Sequence, residues 1–596
     1  MYNHLQAFID DLYKAGEIAT ISDPVSTEIE ISRYTDRESK SPGGGKALYF
    51  ANVKDSIFPV VTNLFGSDRR ICMALGVNHL DELGTRMAQY MDLQPPRNLK
   101  EALGVIPLAL DATRFFPRRY KGRTPPCQEV VHTGEAVDLS RIPVLKCWPK
   151  DGGRFVTLPL VFTKSLETGK RNVGMYRLQI YNRNTTGMHW HIHKDGSHYF
   201  SEYRKAGQRM PVAVAIGADP ATIYAATAPM PRGMDETALA GFIRKKPVKM
   251  ARCVTTDMEV PAEAEFVLEG FVDPDELRVE GPFGDHTGYY SLADNYPVFH
   301  LTAITHRREP VYSATLVGRP PMEDCYLAKA TERLFLPMLR AVFPEITDYW
   351  LPWEGVFHNI VIVAIEKAYP GHAQKIMSGL WGQGQMSFCK MIVVVDRHVN
   401  PKSPQAALKA LVDHLDVTRD LTVTKGVLDV LDHSAPQPNF GHKLGLDLTA
   451  RFPGEPGRGK VTLTDQPFGD KEEANLCDAV ENVGACLELL PKLTQNHQSR
   501  HRILALTITK SANRGGNVFA DELFKTKQLL PFSIILLYDA NVDLTDHSLI
   551  LWKLFNNVDP ARDLFFKGSQ VFVDACKKGP MDGHTREWPE DVTFDV

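Results

Sequence analysis

The spacing of apolar positions divides the chain into stretches of different secondary structure. The first apolar residues recur at helical spacing with polar residues between them, which predicts an amphipathic helix: Leu5, Phe8, Ile9 and Leu12. Short apolar runs predict strands at 47–50 and 58–61, and a longer periodic pattern predicts a helix at 81–91. The mixture predicts an N-terminal α/β domain over residues 1–125, ending at Pro125-Pro126.

From about residue 127 the pattern changes to short apolar runs that are separated by turn residues. They predict strands at 156–163, 175–181, 212–216, 264–272 and 311–315. Acidic residues open a helical pattern at 235–244, as the N-terminal end of a helix prefers. We therefore expect a β-rich domain with helical insertions over residues 126–325.

The last part of the chain returns to α/β alternation and contains an internal repeat. Three segments recur at one constant, ungapped offset: 363–367 with 506–510, 392–396 with 535–539, and 416–420 with 559–563. The repeat predicts two tandem copies of one α/β unit, which we place in domains at 326–460 and 461–596. The copies differ where Lys390 corresponds to Ser533, so they can share a fold without sharing a function.

Composition and charge exclude several classes of protein. Of the 596 residues 43% are hydrophobic, which excludes a mainly disordered chain, and 68 basic against 72 acidic residues give a net charge of −4. This balance gives no electrostatic reason to expect nucleic-acid binding. The apolar runs are too short to cross a bilayer, the start lacks the features of a signal peptide, and the nine cysteines form no CxxC pair. We expect a cytoplasmic protein without stable membrane insertion.

The densest cluster of chemically active residues begins at the second predicted strand of the middle domain and continues beyond it. It consists of Asn-Val-Gly-Met-Tyr-Arg at 172–177 and Met-His-Trp-His-Ile-His-Lys-Asp-Gly at 188–196. If the histidine stretch is extended, His189, His191 and His193 face the same side, and two of them could share a metal ion. The alternative is that one or two of these imidazoles only pack in the core.

A second cluster places two carboxylates around a turn. Glu280 and Asp285 flank Gly-Pro-Phe-Gly, and His-Thr-Gly-Tyr-Tyr follows. Such a turn can bring both carboxylates to one basic group. Two carboxylates that share a site push their pKa values apart, which equips one of them to act as an acid near neutral pH. The alternative is a solvated acidic loop.

With these blocks in order, the chain resembles the UbiD family of (de)carboxylases. The resemblance extends to about residue 456 and is densest at 172–177, 188–196, 211–222, 236–244 and 280–290. It implies an α/β (α+β) fold in which a split β-barrel cofactor domain is flanked by α/β domains. Longer members with an extension beyond residue 500 exist, which agrees with a second C-terminal copy.

The resemblance also implies the cofactors. They are prenylated FMN, which a separate flavin prenyltransferase supplies, together with Mn²⁺ (or Mg²⁺) and K⁺. The implied metal ligands are Asn172, His193 and Glu236, a mixed nitrogen and oxygen set that suits manganese or magnesium better than zinc. The implied cofactor contacts are Met175, Tyr176, Arg177, His189, Trp190, His191, Lys194 and Lys390. Because Ser533 replaces the lysine, we expect the second copy to bind no cofactor.

The implied catalytic residues are Arg177, Glu280 and Asp285. Arg177 would orient a substrate carboxylate, and Asp285 would protonate the carbon that loses CO₂. The implied reaction is a non-oxidative, reversible decarboxylation of an aromatic or α,β-unsaturated carboxylic acid. The pair His189-Trp190 favours a hydroxybenzoate-type acid over a polyprenylated one, and a role in ubiquinone or menaquinone biosynthesis stays open.

Two other functions are compatible with parts of the sequence. His191-x-His193-x-Asp195-x-x-His198 loosely resembles the HxHxDH motif of metal-dependent hydrolases, although the last histidine is displaced by two residues. The repeat also suits a non-catalytic, flavin-binding assembly protein, although a scaffold has no need of the Arg177, Glu280 and Asp285 trio. In each case we expect a homo-oligomer, at least a dimer and up to a hexamer.

Overall fold

The computed structural model separates the chain into two compact units. One comprises Met1–Phe335 together with Glu590–Val596, and the other comprises Leu336–Pro589. The residues that the structure describes are 1–54, 56–92, 107–108, 110–191, 195–231, 233–458, 473–476, 482–491, 501–510 and 515–594. The finer boundaries at 125, 325 and 460 stay predictions.

The first unit begins with the predicted amphipathic helix. Leu5–Ala15 is helical, its four apolar residues are buried, and Gly16 ends it in the left-handed conformation. A four-stranded sheet follows, in the order Ile18–Ile21, Ala47–Phe50, Val60–Thr62 and Tyr312–Ser313. The neighbouring helices are Glu30–Ser39, Asp68–Leu75 and Asp81–Met91. The predictions at 47–50 and 81–91 are confirmed, whereas the strand predicted at 58–61 begins only at Val60.

An antiparallel sheet of seven strands forms the centre of the first unit. Its order is Thr185–Gly187, Asp294–His306, Phe266–Glu280, Met210–Ile216, Pro159–Lys164 and Arg171–Gly174, with Val130–Thr133 also paired to Asp294–His306. No pairing among the described residues joins its two edges, so the split barrel itself stays a prediction. The sheet supplies much of one apolar core, including Val161, Val214 and Leu268.

Smaller elements of the first unit surround this sheet. The short strand Lys249–Arg252 pairs with Glu259–Pro261 on one side and with Arg118–Arg119 on the other. Two further short pairs are Phe155–Val156 with Leu178–Gln179 and Phe283–Gly284 with Tyr290–Ser291. The helices are Asp195–Ala206, Pro220–Ala225 and Glu236–Arg244, and Glu323–Val342 leads into the second unit. The strand predicted at 175–181 is wrong for its first residues, because the Met175 amide donates outside the sheet to the Ala226 carbonyl at 3.1 Å.

The second unit contains two five-stranded sheets with the same topology. One has the order Ile346–Trp350, Ile360–Ile365, Met391–Asp396, Phe440–Asp447 and Leu421–Val427. The other has the order Val483–Leu489, Ile503–Ile508, Ile534–Asp539, Gln570–Asp574 and Leu564–Lys567. In both, the two middle pairings are parallel and the two outer ones antiparallel. The helices are His372–Trp381, Pro404–His414, Gly516–Leu523, His547–Asn557 and Pro560–Asp563.

The two sheets also agree in register and in their turn contacts. Ile360 pairs with Met391 in the first sheet, and Ile503 pairs with Ile534 in the second, which keeps the constant offset of the sequence repeat. One turn in each copy is closed by the same contact. Asp420 accepts the Asp416 amide at 3.0 Å, and Asp563 accepts the Asp559 amide at 2.8 Å. One apolar core takes residues from both sheets, including Ile362, Val393, Ala505 and Leu536. These agreements support a duplication, which stays an inference from pattern.

None of the helices among the described residues is long and apolar enough to cross a membrane.

Candidate active site

The side chain of Arg177 lies at the centre of a buried cluster in the first unit. Its Nε donates to Glu280 Oε1 at 2.9 Å, its Nη1 forms an ion pair with Asp285, and its Nη2 donates to Ser291 Oγ at 3.0 Å. Glu280 is the last residue of the long strand Phe266–Glu280, while Asp285 and Ser291 lie on the hairpin of residues 283–291, which we call the Asp285 hairpin. The structure thus brings together the three residues predicted to be catalytic.

The charges in this cluster are strongly coupled. Burial is the largest single influence and would raise the pKa of Glu280 and of Asp285. Arg177 and His189 together outweigh it at Glu280, and Arg177 and His286 together outweigh it at Asp285, so both pKa values lie below the ordinary range. For Arg177, the two carboxylates outweigh burial and raise the pKa. The cluster therefore holds one cation and two anions, with Asp285 ionised.

Two histidines extend the cluster away from Glu280. His189 Nδ1 lies 2.7 Å from Glu280 Oε1, and its Nε2 lies 2.5 Å from His191 Nε2. Burial and the nearby Arg177 lower the pKa of His189, so its ring is neutral at pH 7. A neutral ring that donates Nδ1–H to a carboxylate has its lone pair on Nε2, so His191 must donate the proton between the two rings. His189 and His191 lie side by side although no regular strand carries them, and His193 lies outside the described residues, so the shared face predicted for all three histidines stays a prediction.

Aromatic rings enclose the same charges. The guanidinium of Arg177 lies over the ring of Phe283 at 4.5 Å from its centroid, and Phe283 packs on Phe155 at 4.6 Å. The ring of Tyr296 lies 4.2 Å from that of His189. The rings lower the local dielectric around the guanidinium, which strengthens the electrostatic contacts of Arg177.

A second group of oxygen ligands lies at the start of the helix Glu236–Arg244. Asp235 caps this helix, and Glu236 accepts the Val173 amide at 2.8 Å and the Asn172 Nδ2 amide at 3.1 Å. Burial raises the pKa of Glu236 to about 7. Two of the three predicted metal ligands are therefore adjacent, while His193 and Lys194 lie outside the described residues. Within the described ranges, no group of three or more His, Cys, Asp or Glu side chains is arranged to hold a metal.

The sequence matches models of a known protein family. Models of the 3-octaprenyl-4-hydroxybenzoate carboxy-lyase match the N-terminal domain at residues 9–87, the Rift-related domain at 118–320 and the C-terminal domain at 325–448 and 492–577. The chain belongs to the UbiD family. A protein from Archaeoglobus fulgidus is 49% identical over 453 residues, 76% of this chain and 92% of that protein.

Solved structures of UbiD-class enzymes show the same fold. The enzyme HmfF from Pelotomaculum thermopropionicum, in an evolved dimeric form in complex with prFMN, has a TM-score of 0.63 at 26% identity and covers 76% of this chain and 96% of its own. Vanillic acid decarboxylase from Sedimentibacter hydroxybenzoicus has a TM-score of 0.69 at 25% identity, with 81% of this chain and 100% of its own covered. The family is one of carboxy-lyases, which favours that class over the hydrolase and assembly alternatives.

The remaining residues predicted from the UbiD resemblance are distributed as follows. Trp190 is buried beside Phe200, and Tyr176 packs against the same core. Lys390 lies in the second unit, where its buried ammonium contacts Asp432 Oδ2 and Ser434 Oγ, both at 3.0 Å. Its assignment to a cofactor phosphate stays a prediction. His198, from the hydrolase motif, lies on the surface 3.6 Å from Glu202.

Sequence reasoning missed Asp151. Its carboxylate accepts the Gly284 amide at 2.7 Å and those of Trp148 and Cys147 at 2.9 and 3.1 Å, which fixes the residue before Asp285. Burial raises the pKa of Asp151 to about 7 although these hydrogen bonds lower it. The sequence does contain a signal for it. Asp151 lies three residues after Trp148 and directly before Gly152-Gly153, and an aspartate followed by glycines indicates a tight turn.

Proposed function

We propose that this UbiD-family chain is a non-oxidative, reversible decarboxylase of a hydroxybenzoate-type or α,β-unsaturated carboxylic acid. The observation that carries the proposal is the Arg177 side chain, which is 9% exposed and whose guanidinium contacts the side chains of two carboxylates and a hydroxyl. A guanidinium in such a place can exchange one carboxylate for that of a substrate in the same fork geometry. The likeness to vanillic acid decarboxylase supports an aromatic substrate.

The cofactor of the proposed reaction is prenylated FMN, as in the HmfF complex. The residues fit such a group: Trp190 Nε1 and Glu280 Oε2 are buried without a hydrogen-bond partner among the described residues. Asn172 and Glu236, with His193, would hold a divalent ion such as Mn²⁺ or Mg²⁺, and K⁺ would assist at the phosphate. When bound, the prenylated flavin supplies the electron sink for loss of CO₂.

The protein's own part in the reaction begins with binding. Arg177 orients the substrate carboxylate, while Glu280 keeps its contact with Nε and with His189. A substrate carboxylate on the Nη atoms competes with Asp285 for the guanidinium, so the pKa of Asp285 rises toward a value at which it can carry a proton. His286 Nδ1, 2.8 Å from Asp285 Oδ1, is placed to exchange that proton.

The second step is proton delivery. As CO₂ leaves, Asp285 donates its proton to the carbon that carried the carboxylate, and its negative charge is again neutralised by Arg177.

The remaining contacts assigned to the cofactor are to Met175, Tyr176, His189, Trp190, His191, Lys194 and Lys390. The chain is expected to act as a homo-oligomer and to receive its cofactor from a flavin prenyltransferase.

The proposal is tested by co-expression with a flavin prenyltransferase and purification with manganese and potassium. Native mass spectrometry should show one prenylated FMN in each subunit and give the subunit count, with absorbance from the flavin. A panel of hydroxybenzoates and cinnamates should then yield CO₂ from at least one acid. Protein that binds metal but no flavin under these conditions would contradict the cofactor assignment.

A further inference from the structure

We infer that residues 590–594, the C-terminal segment, position the catalytic hairpin of the first unit. The inference rests on the proposed function, because it assigns the segment a role in the same site. The chain leaves the first unit near residue 335 and returns to it only at Glu590. No sequence motif pointed to this segment.

The segment extends the Asp285 hairpin by backbone pairing. The Tyr290 amide donates to the Glu590 carbonyl at 2.9 Å, and the Val592 amide donates to the Gly288 carbonyl at 2.8 Å. These two bonds form an antiparallel bridge between Tyr289 and Asp591. The hairpin has only two residues in each of its own strands, so an added strand supplies much of its backbone order.

Side chains of the segment contact residues 148–150, which pack against the start of the hairpin at Gly284. Phe594 stacks on Trp148 with ring centroids 4.3 Å apart, and Lys150 forms an ion pair with Glu590. Trp148 is fully buried against Gly284, where a Cβ would lie 2.3 Å from the indole. Phe594 and Gly284, the residue directly before Asp285, therefore both pack against the indole of Trp148.

The contacts converge on groups that face Arg177. The hairpin carries both Asp285 and Ser291, two of the three partners of the guanidinium. A shift of the hairpin would change the position of the proton donor and the orientation of Arg177 together. Phe594 is thus a positioning residue, which acts through Trp148 and the hairpin rather than by touching the substrate.

The test uses the full-length enzyme loaded with cofactor and its Phe594→Ala variant. Because misplacement by about 1 Å can cost about 10²-fold in rate, we expect kcat to fall about 10- to 100-fold while KM changes less than about 3-fold. Phe594→Tyr keeps the ring and should restore kcat. Phe566→Ala removes a half-exposed phenylalanine of the second unit and should leave kcat unchanged.

A second readout does not depend on activity. Amide hydrogen exchange should be faster at Tyr290 and Val592 in Phe594→Ala than in the parent, with the global melting temperature little changed. If Phe594→Ala does not fold, Val592→Pro, which removes only one amide of the bridge, replaces it. Unchanged kcat together with unchanged exchange would overturn the inference.

These outcomes separate the inference from the proposed function. A full-length enzyme that turns over no acid contradicts the proposed function. In that case the rate of amide hydrogen exchange at Tyr290, compared between the parent chain and Phe594→Ala, shows whether the segment orders the hairpin. An active enzyme whose Phe594→Ala variant keeps its kcat, yet exchanges faster, shows a purely structural segment and overturns the positioning role.

Discussion

Two clusters of basic and acidic side chains, one in each unit, differ in the groups that they bind. The Arg177 cluster contains one cation and two carboxylates, and each hydrogen bond of the guanidinium goes to a side chain. The second, which we call the lysine–aspartate cluster, contains three cations and three carboxylates: Lys510, Arg562, Lys578, Asp563, Asp574 and Asp582.

The lysine–aspartate cluster holds backbone in place. Lys578 donates to the carbonyls of Asp574 and Cys576 at 2.7 and 2.6 Å. Its carboxylates accept backbone amides, such as Asp582 from Gly516 at 2.8 Å and from Gly579 at 3.0 Å. Charges that bind backbone cannot change partners without loss of the fold. In the described part of the chain the guanidinium of Arg177 donates to side chains only and can change partners, whereas Asp285 is held by the His286 amide at 2.7 Å through the oxygen that does not contact Arg177.

The largest expected effect is that of Asp285→Asn, compared with Asp574→Asn in the other cluster. Loss of the proton donor should lower kcat about 10²- to 10⁴-fold, since that is the typical contribution of general acid catalysis. The flavin should remain bound. Asp574→Asn leaves Lys510 and Lys578 short of a partner and should instead destabilise the fold by about 3–5 kcal/mol. Steady-state kinetics and chemical denaturation measure the two effects.

The next comparison replaces arginine by lysine in each cluster. Arg177→Lys keeps the charge but loses the fork that binds two groups, so kcat/KM should fall at least about 10²-fold with little change in stability. Arg562→Lys loses two hydrogen bonds to Asp563 and should lower the melting temperature while activity for each folded molecule stays normal. A similar loss of activity in both variants would remove the distinction between the clusters.

The clusters should also differ in how pH affects stability. Lys578 and Lys510 outweigh burial and lower the pKa of Asp574, so its stabilising contribution exists above about pH 4 and is lost as the pH falls through the lowered pKa. Asp151, which supports the Asp285 hairpin, has a pKa raised to about 7 by burial. Its contribution is greatest below about pH 4 and is lost as the pH rises toward about 7.

Two single variants test the two pH dependences of stability separately. Asp151→Asn should flatten the decline in unfolding free energy between about pH 4 and pH 7, and Asp574→Asn should flatten the decline in acid below about pH 4. Denaturation curves at a series of pH values provide the measurement. If the unfolding free energies of the parent chain and Asp151→Asn change in parallel with pH, the raised pKa of Asp151 is refuted.

The smallest expected effect is that of Ser291→Ala. It removes one hydrogen bond of 3.0 Å to Arg177 Nη2 but leaves both carboxylates in place. A hydrogen bond between a charged donor and a neutral acceptor contributes about 1.5–3 kcal/mol at most, so kcat/KM should fall by no more than about 10- to 100-fold. Thr422→Ala, which removes a surface hydrogen bond to Gln374 in the second unit, is the matched control and should change neither activity nor stability.

The sequence predicted what depends on local pattern. The helix Leu5–Ala15 follows from apolar spacing alone, and the constant offset of the repeat anticipated two sheets with matching strand register. The approach of Arg177 to Glu280 and Asp285 followed from the resemblance. Local pattern could not reveal the contact of the Asp285 hairpin with Glu590, because partners so far apart along the chain leave no periodic signal. The apolar pattern also predicted the strand at 175–181 to begin too early, because the Met175 amide donates to the Ala226 carbonyl outside the sheet.

The most direct test of the account is turnover in deuterium oxide by enzyme loaded with prenylated FMN, for the parent chain and Asp285→Asn with equal flavin content. The account predicts CO₂ from an aromatic or α,β-unsaturated acid and a product with one deuterium at the carbon that lost the carboxylate, whereas Asp285→Asn forms almost none. Equal CO₂ release and deuterium incorporation by the two proteins would contradict the assignment of the Arg177 cluster as the catalytic site.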